Sequence, residues 1–133
     1  MYVPDSTHGM RQIDTQWMDG VPFVTQCPIP YGTRFRYAFH ALDEGTHFYH
    51  SHSGHQKIDG VYGALIVREP IEKVPNRNVY DFDLSEHVVL ASDWMHTMAE
   101  NHFPGMSRRS TLSESMLIND RGRFFNVSEV VSL

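Results

Sequence analysis

His50 and His52 stand two residues apart in the run Gly45-Thr46-His47-Phe48-Tyr49-His50-Ser51-His52-Ser53-Gly54. Thr46, Phe48 and Tyr49 favour an extended chain, and Gly45 and Gly54 bracket it. On a strand, side chains two apart point to one face, with Cα atoms roughly 6.6 Å apart. Two imidazoles on one face can hold one metal or serve two neighbouring metals. The chain carries nine histidines in 133 residues, so an isolated His-x-His pair is a weak motif. A half-buried strand with histidines bonded to backbone would look the same. His47 falls on the opposite strand face, and His55 follows the glycine that ends the run; both read as structural or surface residues. His8, directly before Gly9, reads from its own surroundings as a solvated loop residue. Asp19, directly before Gly20, reads as a turn residue.

The elements that would position these groups are all strands and turns. Thr33 to Ala41 alternates, with Phe35, Tyr37, Phe39 and Ala41 on one face and Arg34, Arg36 and His40 on the other. This predicts a strand that turns at Leu42-Asp43-Glu44-Gly45 and forms an antiparallel hairpin with the histidine strand. Gly60 to Arg68 is an apolar run of strand length, and Gly63 within it predicts a close approach. Residues 71–85, with Pro75, Asn76, Asn78 and several charges, read as an interdomain linker. Glu86 to Trp94 is a further strand candidate, and His96 to Glu100 a short helical turn. Met116 to Asp120 reads as a strand entering a polar turn. Asn126-Val127-Ser128 fits a glycosylation acceptor, and Arg108-Arg109 a solvated basic pair.

Composition narrows the partners. The formal net charge is -5 and no basic run exists, which argues against nucleic-acid binding. No apolar stretch approaches the roughly 20 residues of a membrane span. The start, Met1-Tyr2-Val3-Pro4-Asp5, has neither the charged nor the apolar region of a signal peptide. Cys27 is the only cysteine. It reads as a buried free thiol or as the partner of a cysteine outside this chain. With no histidine beside it, it is a poor candidate for a metal ligand.

Three blocks together carry a resemblance: Asp19-Gly20-Val21-Pro22-Phe23-Val24-Thr25-Gln26-Cys27-Pro28-Ile29, the histidine strand, and Asp59-Gly60-Val61-Tyr62-Gly63-Ala64-Leu65-Ile66-Val67. In this order they resemble the first domain of a multicopper oxidase, laccase-like and closest to the arthropod type. The resemblance implies an all-β fold, the cupredoxin Greek-key β-sandwich. Residues 1–70 would be an N-terminally truncated first domain, 71–85 the linker, and 86–133 the start of a second domain, too short to complete a sandwich of roughly a hundred residues. It implies a copper-dependent oxidoreductase that takes single electrons from a phenol or similar donor and reduces dioxygen to water. His8, His50 and His52 would be ligands of the type 3 copper pair. Where the family reads His-Trp-His-Gly, this chain has Ser6-Thr7-His8-Gly9, so Ser6 occupies the position of a type 2 ligand. Asp19 would be the carboxylate that assists proton delivery. The late His-Cys-His segment that serves the type 1 copper is absent, so the chain alone is expected to be inactive. The family also implies an extracellular protein and a disulfide from Cys27 to a missing segment. Two other classes remain open: a non-catalytic interaction module on a cupredoxin scaffold, and a small β-domain that binds zinc through histidines.

Overall fold

The computed structural model describes residues 5–102, 113–126 and 129–132. Its elements there are short strands joined by turns, with three brief 3-10 turns at Gln16–Met18, Ser85–His87 and Ala99–His102. The chain divides into two compact units, residues 1–57 with 61–88, and residues 58–60 with 89–133.

The first unit is built on one antiparallel sheet. Strand β1 (Asp5–His8), β2 (Gly45–Ser51) and β3 (Tyr62–Val67) lie in that order, with β2 central. β2 is the histidine strand, and its β-favouring residues fill a strand paired on both edges. The register sets His8 against Phe48, Ser6 against His50, and His50 against Tyr62. The close approach at Gly63 is made by a side chain. Gly63 pairs with Tyr49, and a Cβ added there would lie 2.5 Å from Tyr49 Cζ, so the phenol ring covers the glycine. Met10, His50 and Ser51 are the buried apolar and polar side chains of this unit among the described residues.

The expected strand at Thr33–Ala41 does not form, and β2 makes no hairpin with it. A strand needs a free ladder edge, and β1 and β3 occupy both edges of β2. The alternation survives only in part, since Phe35 and Ala41, expected to face inward, are exposed. Tyr37 and Phe39 are half-buried, while Arg34, Arg36 and His40 are exposed. Phe35 and Tyr37 meet edge to face at 4.8 Å, and the Tyr37 hydroxyl donates to Gln26 Oε1 at 2.8 Å.

The second unit holds two antiparallel strand pairs. β4 (Ala91–Trp94) pairs antiparallel with β5 (Ser115–Ile118), and β6 (Arg123–Asn126) with β7 (Glu129–Ser132). The strand expected over 86–94 is thus limited to its last four residues. Its first part is the Ser85–His87 turn, because the pairing with β5 begins only at Ala91. After β5 the polar turn forms as expected. Asn119 and Asp120 have φ of 49° and 61°, and Ile118 and Arg121 exchange both backbone hydrogen bonds. Asparagine and aspartate tolerate this left-handed pair better than other non-glycine residues. Leu117 is buried, which contributes about 1.5–3 kcal/mol, and Ala99 is fully buried with its N–H held by Asp59 Oδ1 at 2.8 Å. The His96 ring meets the Phe124 ring tilted by 33°, with centroids 3.7 Å apart, a packing role. Val127, Ser128 and the Arg108-Arg109 pair lie outside the described residues.

Candidate metal centre

β2 positions His50 on the face it shares with Phe48, two residues before it, and His52, just past the strand end. The rings of His50 and His52 lie side by side, with centroids 5.8 Å apart and planes 24° apart. The two-residue spacing on a strand dictates this arrangement.

His8 joins them from β1, not from a loop as its surroundings in sequence suggested; it is the last residue of that strand. The register opposes His8 to Phe48, so its ring lands on the shared face. It stacks flat on Phe48, with centroids 4.7 Å apart and planes 5° apart, and against His50 at 4.6 Å. His8 Nε2 and His50 Nε2 are 2.6 Å apart. Phe48 is therefore the platform for His8, a part of the site that sequence reasoning missed. The signal was present, since Phe48 precedes His50 by two residues on a strand. Lys57 Nζ sits 5.3 Å from the centre of the Phe48 ring, a cation–π contact.

The protons can be assigned from the partners. Ser51 carbonyl oxygen lies 2.8 Å from His50 Nδ1 and can only accept, so Nδ1 carries the proton. In neutral His50 this leaves Nε2 bare, and His8 Nε2–H donates to it. Burial holds the His50 pKa below its ordinary value, against the opposing Ser51 hydrogen bond, with further lowering from Lys57, His8 and His52. Neutral imidazole with a bare Nε2, its other nitrogen held by a backbone carbonyl, is the form that ligates metal.

These residues fit copper as part of a donor set. Imidazole suits copper, and the bare Nε2 of His50 points at the Nε2 of His8. The set is partial, because among the described residues no three His, Cys, Asp or Glu side chains converge as a cluster that could hold a metal. Ser6 pairs with His50 in the strand register. Asp19 is half-exposed and closes the Gln16–Met18 turn with its N–H on Gln16 O at 3.2 Å. Cys27 is exposed, not buried, and the disulfide implied by resemblance gains no support from its surroundings.

Gly9 must be glycine. Its φ is 91°, and a Cβ there would lie within 2.4 Å of His47 Nδ1. Gly9→Ala is expected to lower stability by about 1–3 kcal/mol, the cost of a strained backbone conformation, read as an earlier midpoint in urea. An unchanged midpoint would mean that this turn relaxes freely.

A multicopper oxidase profile matches residues 6–72. Laccase-5 of Trametes villosa is 42% identical over 120 residues, covering 88% of this chain and 21% of the relative. Laccase-1 of Cryptococcus neoformans is 45% identical over 94 residues, covering 70% of this chain and 15% of that protein. The crystal structure of the Botrytis aclada laccase superposes with a TM-score of 0.74 at 32% identity, over 96% of this chain and 22% of the laccase. That of Fet3p, a multicopper oxidase that functions in iron import, gives 0.72 at 31% identity, over 90% of this chain and 23% of its own. The fold is therefore the all-β cupredoxin fold of these enzymes. The chain belongs to the multicopper oxidase family. It spans about a fifth of the length of the curated relatives it matches. The laccases of Trametes villosa and Cryptococcus neoformans are fungal, and they lend no support to the arthropod type. Among the described residues no helix is long and apolar enough to cross a membrane.

Proposed function

We propose that this chain supplies part of the oxygen-reducing centre of an extracellular, laccase-like copper oxidase, with His8, His50 and His52 as ligands of a type 3 copper pair. The observation that carries the reading is the approach of His8 Nε2 to the bare Nε2 of His50, in a chain of this family. Copper held by His8, His50 and His52 would supply the one-electron chemistry that links a phenolic donor to the four-electron reduction of dioxygen. The chain's own residues do the rest. Ser51 carbonyl fixes the His50 tautomer, Phe48 holds the His8 ring flat, and β2 aligns His50 with His52. Four electrons and one dioxygen require four protons to give two waters, and the Asp19 carboxylate is proposed to pass them on. Ser6 holds the place of a type 2 ligand. A hydroxyl there is a weak donor to copper near neutral pH.

In this reading residues 1–70 belong to a first cupredoxin domain, 71–85 to a linker, and 86–133 to a second domain. The strong exposure of Phe23, Val24, Tyr31, Val79 and Phe82 supports packing against further protein. A zinc-binding β-domain is not favoured, since the family the chain matches is one of copper oxidases. The family match and the histidine contact likewise speak against a purely non-catalytic module.

The test is titration of the purified chain with Cu(II), followed by oxygen uptake with a catechol. Copper binding that His8→Ala and His52→Ala both weaken is expected, without turnover, because the one cysteine lacks the histidine neighbours of a type 1 site. No copper binding, or binding indifferent to these histidines, would remove the proposed role. Robust turnover by this chain would overturn the expectation that it is inactive alone.

A further inference from the structure

β2 has a second face, and it too is tied to His8. His47 lies there, three residues before His50. Its Nε2–H donates to the Asp43 carbonyl at 3.0 Å, since a carbonyl can only accept. That bond sets the ring against Gly9, the residue after His8, so closely that only a glycine fits beneath it. The Asp43 side chain reaches the same segment two residues further on. The Arg11 backbone N–H donates to Asp43 Oδ2 at 2.7 Å, and Arg11 Nε–H donates to Oδ1 at 2.7 Å. A carboxylate that accepts from a backbone N–H and a guanidinium together is a strong, directional anchor. Asp43 thus grips the chain after His8 twice, through its carboxylate at Arg11 and through its carbonyl by way of His47 at Gly9.

We infer that Asp43 and His47 are positioning residues that hold His8 in place beside His50. The geometry supports this role over a loose surface bridge. Asp43 is mostly shielded even though Arg11 is largely exposed, with side-chain exposures of 19% and 68%. His8 ends β1, so the backbone leaving it determines where its ring can rest. Phe48 supplies a flat surface for that ring but nothing that stops the strand end from lifting. The Asp43 anchor supplies the stop. Arg11 serves as its counterpart, and His47 as the wedge that sets the distance between Asp43 and Gly9.

The inference rests on the copper reading only for what His8 is held to do; the holding itself is measurable without metal. The experiment is NMR of the metal-free chain, reading two local signals. One is the cross-peak between the His8 and His50 rings. The other is the upfield shift of the His8 ring protons caused by Phe48. Asp43→Ala and His47→Leu are each expected to abolish the cross-peak and relax the shift. The His50 Nδ1–H signal should persist, because Ser51 holds it independently. His47→Gln, whose amide N–H can replace Nε2–H, should restore the His8 signals. Arg11→Met keeps the backbone bond to Asp43 and should give a partial loss, which decides the matter if Asp43→Ala does not fold. In the same variants the Cu(II) dissociation constant should rise about 10- to 100-fold, the range seen when a residue that orients a ligand is removed. Unchanged His8 signals in folded Asp43→Ala or His47→Leu would overturn the inference. So would changes that spread equally to His50 and the rest of the chain, since they would mark a general structural role. If the unaltered chain takes up no Cu(II) while the His8 signals respond as described, the positioning stands and the copper reading fails.

Discussion

His50→Ala is expected to weaken Cu(II) binding by more than about 100-fold, beyond the effect of losing a hydrogen bond behind a ligand. His50 is the hinge of the site. It is 6% exposed, it lies between the rings of His8 and His52, and its Nε2 is the bare nitrogen that His8 faces. Removing it takes away a donor and leaves His8 Nε2 without its partner in the same step. His40→Ala is the matching control, because His40 is exposed and lies outside every strand. Competition titration against a chelator of known affinity measures both. Equal affinities for the two variants would place the copper elsewhere or nowhere. A large loss for His50→Ala with full retention by His40→Ala is the outcome that the geometry supports.

The second large effect concerns Asp19 and needs a complete oxidase. A chimera carrying this chain in place of the matching 120 residues of the Trametes villosa laccase would provide one. Ser6→His in that chimera is expected to raise copper per chain, since imidazole replaces a hydroxyl that binds copper poorly. Ser6 is paired with His50 in the β1–β2 register, so the substitution falls at the position opposite that histidine. Oxygen consumption should rise with copper content. Asp19→Asn in this restored background should then leave copper nearly intact, because asparagine keeps the shape of the side chain. Its amide cannot take and release a proton as the carboxylate does. Turnover should fall by about 10²-fold, the low end for general acid–base catalysis. The deficit should grow as pH rises and protons become scarcer. Oxygen uptake across pH, with copper counted in the same samples, checks this. Unchanged turnover would reduce Asp19 to the residue that closes the Gln16–Met18 turn, and lost copper would make it a support of the centre.

The amino-acid sequence by itself determined the half of the site that lies on one strand. His50 and His52 share a face because strand side chains repeat every two residues, and that period needs no knowledge of any partner. Phe48 obeys the same rule and was equally legible, although its importance becomes visible only when His8 lies on it. The apolar run at Gly60–Arg68 gave β3 for a similar reason, as did the turn after β5, where local backbone preference suffices. Which strands meet was decided by tertiary structure. Thr33–Ala41 shows good alternation yet forms no strand, because alternation specifies a face but cannot reserve a ladder edge. β1, with only four residues, takes the edge of β2. That pairing joins His8 to His50 across 42 positions of sequence. The Asp43–Arg11 and Asp43–His47 bonds depend on the same approach. Local patterns act over a few residues, whereas register between distant segments is settled by the sum of contacts along both strands.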